Sequence, residues 1–213
     1  MKPRMNVAML CLALLAANAG MGSVAAAQDA ASRKASQLGE TISMGNVSHP
    51  ESDVAWGRAE AVVDARSADV LAVLSDYSQY AGMFPYFEKS KVLSQRGGDA
   101  IVYLEAKVLH GAATLWSQVR MSSKLSATTT IVEARMMKGK GNIGQLLARW
   151  EITPVAEGQR TLVSFQILVD PDLPIPDALV TDEMRKGAGQ AMRALRKRVH
   201  QRSSFATRPN HAM

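Results

Sequence analysis

The stretch DPDLPIPDALVTDEMRKGAGQAMRALRKRV, Asp170 to Val199, decides the architecture of this chain. Its first part is a stiff connector. Pro171, Pro174 and Pro176 each fix φ and remove a backbone N–H, so neither helix nor sheet continues through them. A helical pattern follows. Leu179, Met184, Ala188, Ala191, Met192, Leu195 and Val199 recur at three- and four-residue steps, while Arg185, Lys186, Arg193, Arg196 and Lys197 lie largely elsewhere on the wheel. This is the longest helical pattern in the chain. Its apolar stripe has to be buried against something earlier in the sequence.

Working back from Asp170, that something is a set of strands. Phe87–Ser94, Ala100–Leu109, Thr114–Ser122, Thr128–Met137, Leu146–Thr153 and Arg160–Asp170 are rich in β-branched and apolar residues. Gly97-Gly98-Asp99, His110-Gly111, residues 124–127, residues 139–144 and Glu157-Gly158 separate them as turns. Strands joined by such short loops form an antiparallel meander. A further strand opens the domain, where Ala59, Ala61, Val63 and Ala65 alternate with Arg58, Glu60 and Asp64. Val62 interrupts the polar side of that alternation. Ser67 is then placed to cap a helix, Ala68–Leu74, with Asp69 at its positive end. A second short helix is expected over Tyr77–Met83, ended by Pro85. The order predicts an α+β fold: a curved antiparallel seven-stranded sheet around a long C-terminal helix, with two short helices after strand 1. A curved sheet closing on one helix leaves a wedge between them, wide at one end.

Three segments resemble a known group. They are Val62–Tyr77, where the first strand runs into the first helix; Tyr80–Leu93, with Phe84-Pro85 ahead of a strand; and Ile175–Val180 leading into Ala191–Arg196. Together they resemble the START/polyketide-cyclase (SRPBCC) superfamily, its coenzyme-Q-binding branch most closely, over nearly all of residues 55–202. The resemblance implies a helix-grip fold with a cavity between sheet and long helix. It speaks more specifically to fold than to ligand, since the superfamily includes lipid and sterol carriers, quinone binders, plant hormone receptors and a few cyclases.

The sequence supplies a suitable lining for such a cavity. The strand positions assigned inward are Val102, Leu104, Ala106 and Val108; Leu115, Val119 and Met121; Leu146, Ala148, Trp150 and Ile152; and Val163, Phe165, Ile167 and Val169. Met83, Phe84, Tyr86 and Phe87 stand near the expected mouth. Met184, Ala188, Ala191, Met192 and Leu195 form the roof. Of these, Met83, Phe84, Tyr86, Leu104, Ala106, Val119, Trp150, Phe165, Ile167, Met184, Ala188, Met192 and Leu195 are the candidate ligand-binding residues. Methionines adapt to varied apolar shapes. The same pattern also describes a dry packed core, and periodicity alone does not separate the two.

The N-terminus reads as an export signal. Lys2 and Arg4 are followed by an apolar Val7–Ala17 and by Ala25-Ala26-Ala27, with Gln28 as the expected first mature residue. That apolar run is shorter than the roughly 20 residues needed to span a bilayer. The alternative is an uncleaved anchor. Residues 1–27 are thus assigned to a signal peptide, 28–53 to a flexible leader, 54–202 to the domain and 203–213 to a disordered tail, in a periplasmic or secreted protein. The one cysteine, Cys11, lies within the signal, so the mature chain has no disulfide and no thiol nucleophile.

Motifs for chemistry are sparse. Gly139-Lys140-Gly141-Asn142-Ile143-Gly144 matches G-x-G-x-x-G, but a dinucleotide site needs a helix after the loop, and Gln145–Thr153 reads as a strand. A hairpin at the cavity rim is expected. His49, His110, His200 and His211 are scattered, and no metalloprotease or nucleophile-elbow motif occurs. Glu105, Arg135 and Glu151 count outward, as do Trp116 and Gln118. With 5% aromatics and a net charge of +6, the chain lacks the concentrated surface that nucleic-acid binding requires. The basic residues near the C-terminus, Arg193, Arg196, Lys197, Arg198 and Arg202, suit a solvated helix face or contact with anionic headgroups. The expectation is a carrier of a hydrophobic small molecule or lipid, with transient membrane-surface contact and no cofactor, metal or nucleic acid. The alternatives are a cyclase or hydrolase using the same cavity, and a module that docks a protein around Trp116.

Overall fold

The computed structural model describes residues 8–49, 52–108, 111, 113–172 and 174–206. Its elements are α1 (Ala8–Leu38), β1 (Ser43–His49), β2 (Ser52–Val63), α2 (Ser67–Leu74), a 3-10 turn (Tyr77–Gln79) running into α3 (Tyr80–Met83), β3 (Phe87–Arg96), β4 (Asp99–Val108), β5 (Ala113–Ser126), β6 (Thr129–Gly141), β7 (Gln145–Val155), β8 (Arg160–Asp170) and α4 (Asp177–Ala206). The strands form one antiparallel sheet in the order β1-β2-β8-β7-β6-β5-β4-β3. The sheet wraps α4, with α2 and α3 beside it. This is the helix-grip architecture expected from the order of the elements.

The sheet has eight strands rather than seven. The extra one, β1, falls in residues 28–53, read from composition as a leader without structure. Ser43–His49 has only Val47 as a β-branched residue, with Gly45 and Asn46 beside it, so propensity gives little signal. Tertiary contacts hold it instead. Met44 pairs with Ala59 and leans on Gly189 of α4, and Asn46 Nδ2 donates to the Thr181 carbonyl at 2.9 Å. The second half of α1 occupies the same stretch. Ala31, Ala35 and Leu38 pack on Val62, Val155 and Leu162, all outward residues of the sheet. Val62, which interrupts the polar face of β2, is therefore 2% exposed because a helix covers it. Alanines four apart make an apolar stripe too slight in volume to stand out in the sequence.

Two polar contacts fasten this helix. Gln28 Nε2 donates to the Pro154 carbonyl at 2.5 Å, and Lys34 Nζ reaches Glu60 Oε1 at 2.5 Å. Arg58 Nη2 meets the same Glu60 oxygen at 2.5 Å. Burial opposes ionisation of Glu60, but the hydrogen bonds from Lys34 and Arg58 outweigh it and hold the carboxyl below its ordinary value.

Ser67 is the first helical residue of α2 rather than its cap. Arg66 occupies the capping position in extended conformation, makes no side-chain cap, and instead bonds Asp69 Oδ2 through Nε at 3.0 Å. At the other terminus, α4 continues through Ser203 to Ala206, past the expected end of order at Arg202. Its approach to the sheet depends on Gly57. A Cβ there would lie inside van der Waals contact with the Met184 carbonyl, so only glycine lets β2 and the backbone of α4 touch.

Candidate functional site

Inward residues alternate along each strand, and their burial changes along the sheet. At the end nearest α2, Val102, Val119, Val132, Ile152 and Val163 are sealed, and Ala188, Met192, Leu195 and Val199 of α4 close over them. Toward the other end, Ala106, Val108, Leu115, Met136, Ala148, Ile167 and Val169 are only half-buried, and so is Met184 above them. The apolar interior is thus packed at one end and open at the other. Leu146 and Ile143 stay buried at that end, but exposure otherwise rises on adjacent strands together, so a shared mouth explains it better than scattered surface contacts.

An aromatic series marks the boundary. Phe84 leaves the end of α3 and stacks on Trp150 at 6.1 Å between centroids, and Trp150 stacks on Phe165 at 3.8 Å. Tyr80 meets Phe84 edge-on at 5.0 Å and lies parallel to Phe87 at 6.3 Å. Tyr80 is anchored by donating its hydroxyl to the Leu74 carbonyl at 2.6 Å, and burial pushes its phenol well above the ordinary range. Pro85, placed between Phe84 and Tyr86, sends these neighbours in different directions. Phe84 enters the interior, while Tyr86 lies over Gly187 of α4. Burial, then the nearby Glu183 charge, raises the Tyr86 phenol too.

The thirteen candidate lining residues divide along this boundary. Leu104, Val119, Ala188, Met192 and Leu195 belong to the sealed core. Phe84, Trp150 and Phe165 form the aromatic layer. Met83 is half-buried beside Ala194 of α4, away from the open end, where Tyr86, Ala106, Ile167 and Met184 stand half-buried. Leu115, Ala148 and Met136 join this last group.

Two residues of the open end escape sequence reasoning. Ile143, from the glycine-rich segment, is 7% exposed and packs into the core cluster. A lone apolar residue among glycines was the available signal. Ser117 is 2% exposed on the inner face between Leu115 and Val119. It is a polar atom set in an apolar wall.

The glycine-rich segment itself is a hairpin. It joins β6 to β7, with no helix after it, so the structural context of a dinucleotide site is absent. Gly141 lies against β5, where a Cβ would come 2.7 Å from the Trp116 carbonyl. Asn142 Oδ1 accepts from the Trp116 N–H at 2.7 Å, and Asn142 Nδ2 donates to the Thr114 carbonyl at 2.8 Å. Just before it, Gln118 alone stands opposite Met137, Lys138, Gly139 and Lys140, so the chain bulges outward there.

The charged strand residues singled out from the sequence face outward. Glu105 accepts from Lys89 Nζ and from the Tyr103 hydroxyl, each at 2.8 Å; these bonds lower its pKa. Glu151 pairs with Arg149 at 2.9 Å, and Arg135 is exposed. Trp116 stacks on Tyr103 at 5.9 Å on the same outer face. His200 is exposed, and His110 and His211 lie outside the described residues. Among the described residues, no three His, Cys, Asp or Glu side chains are grouped to hold a metal ion.

Solved structures with the same fold include the STAR-related lipid transfer protein of Xanthomonas axonopodis, 20% identical, at a TM-score of 0.67 over 75% of this chain and 94% of that one. Human StAR-related lipid transfer protein 5 is 13% identical, at a TM-score of 0.65 over 85% of this chain and 99% of that one. The Zhui aromatase/cyclase of a Streptomyces species is 19% identical, at a TM-score of 0.51 over 74% and 98%. At these identities the likeness is one of fold. Comparison with curated proteins by sequence gave no match. Residues 63–196 match the family model for polyketide cyclase / dehydrase and lipid transport. That match runs from the last residue of β2 into the third quarter of α4, and so takes in most of the open-ended interior: the chain belongs to the polyketide cyclase / dehydrase and lipid transport family, within the START/polyketide-cyclase (SRPBCC) superfamily.

Proposed function

We propose that this protein is an exported carrier that shields a hydrophobic ligand, a lipid, quinone, sterol or similar molecule, in the open half of the interior. The observation that carries the reading is the graded burial of the inner face. Apolar side chains on five strands and on α4 pass from sealed to half-exposed at the same end, and among the described residues this lining includes no charged side chain. Burying about 300 Å² of apolar ligand surface is worth about 7 kcal/mol before the costs of ordering. The Phe84–Trp150–Phe165 layer forms the chamber floor, and the Ser117 hydroxyl offers one hydrogen bond to a polar atom of the ligand. Tyr86, Phe87 and the β6–β7 hairpin flank the opening.

A signal peptide ending at Ala27 would deliver the carrier to the periplasm or outside the cell. The aromatase/cyclase among the structural relatives keeps a cyclase reading in view, with chemistry in the same chamber. Native mass spectrometry of the purified protein, followed by extraction and identification of what it holds, tests the proposal. A co-purifying hydrophobic molecule released unchanged supports a carrier. An empty protein that takes up no apolar probe overturns the carrier reading, and a bound molecule returned cyclised or hydrolysed replaces it with the enzyme.

A further inference from the structure

Between α3 and α4, on the outside of the molecule, runs a groove of about 430 Å³. Met83 and Pro85 form one wall; Ala194 with Arg193, Lys197 and Arg198 forms the other. The groove-lining positions of α4 recur every three or four residues, so one stripe of the helix faces it.

Of the other cations of α4, Arg202 is not part of the groove lining and the rest are engaged. Arg185 and Lys186 pair with Asp182, and Lys186 also with Glu183. Arg196 points to the opposite side, donating from Nε and Nη2 to the Val62 carbonyl at 3.0 and 2.7 Å and from Nη1 to the Glu40 carbonyl at 2.7 Å. By contrast, Arg193, Lys197 and Arg198 are exposed, and among the described residues no carboxylate lies within ion-pairing distance of them. No acidic residue follows Glu183 in the chain. Three like charges converging on one concavity repel one another, and an anion seated there relieves the repulsion.

The apolar half of the lining selects the kind of anion. Met83, Pro85 and Ala194 give the cations a hydrophobic neighbour, the pairing that suits a headgroup phosphate at the edge of acyl chains. We infer that this groove seats the phosphate of an anionic phospholipid, and that it lays the protein on an anionic bilayer with the Gly82–Tyr86 segment against the lipid. This deepens the carrier reading, since Phe84 in that segment is the chamber's floor and Tyr86 its rim. Binding to the bilayer is nonetheless read without any cargo.

The test is flotation of the purified chain with vesicles of phosphatidylcholine, alone or mixed with phosphatidylglycerol. The N-terminal segment is common to every variant, so differences between variants report the groove. The wild type should float with the mixed vesicles, and Arg193→Gln/Lys197→Gln/Arg198→Gln should lower that partitioning about 100-fold. Arg120→Gln/Lys124→Gln/Arg135→Gln removes equal charge from interior strands of the sheet and should lower it only a few-fold. Circular dichroism checks that each variant is folded; should the first triple fail, Lys197→Gln alone should still cost about 5-fold. Equal losses in the two triples, or equal flotation with both vesicle types, would overturn the inference. Saturable binding of inorganic phosphate without vesicles would overturn the bilayer assignment in favour of a free-anion site. The carrier reading survives each of these failures, just as an unidentified cargo leaves the flotation result standing.

Discussion

At the scale of single residues, the fold turns on Gly57. The Met184 carbonyl occupies the space that a Cβ would need, and that carbonyl belongs to helix backbone that cannot rotate away. Gly57→Ala should therefore cost about 1–3 kcal/mol, as overpacking does, and lower the midpoint of urea unfolding accordingly. Glu60 makes a pH-dependent contribution. Its folded pKa is depressed below 4.5, so its stabilisation is present above that value and is lost as pH falls through the folded pKa. Lys34→Ala should then cost under about 1 kcal/mol at neutral pH, Lys34 being partly exposed, and progressively less in melts taken at acid pH. Ser117 carries a prediction about binding. Ser117→Ala should weaken a hydroxyl- or carbonyl-bearing ligand about 3- to 10-fold while leaving a pure hydrocarbon probe unaffected, as measured by titration.

At the scale of elements, the covering helix is separable from the grip. Removing residues 28–38 exposes Val62, Val155 and Leu162 together. The loss should be on the order of 3 kcal/mol, with increased binding of a surface-hydrophobicity dye. The chamber is best tested from its half-open wall: Ala148→Trp should fill the open half and exclude an apolar probe with little change in stability. Ala188 is a poorer place to do so, because it is fully buried in the sealed half, where a larger side chain would strain the core. How far these elements were legible follows from their physics. The strands from β3 to β8 and the stripe of α4 bury large apolar faces, and such faces write a period into the sequence. The cover helix buries mainly alanine, and β1 is held by pairing and by α4, so neither writes one. The candidate lining was legible as a face but not as a depth. Leu104 and Ala106 share the same parity, yet one is sealed and the other half-open, and only their position relative to α4 and the aromatic layer separates them.

At the scale of the whole molecule, the N-terminus meets the domain at a telling place. Ala25, Ala26 and Ala27 are exposed, while Gln28 is half-buried and makes a contact with the sheet. Cleavage after Ala27 would leave a folded start, and N-terminal sequencing of exported protein should begin at Gln28; an intact Met1 in the membrane fraction would refute this. The strand order runs from β1 to β3 without closing. Among the described residues β1 and β3 each pair with a strand on one side only, and such an edge is a template for a foreign strand. β3 bears Lys89, Lys91 and Arg96, all exposed, and a copy pairing in parallel register would bring these cations together. Those charges keep the chain from polymerising through its own edge. Neutral, β-branched residues at Lys89 and Lys91 should turn a monodisperse protein into one that forms thioflavin-positive aggregates on storage, with its melting temperature nearly unchanged.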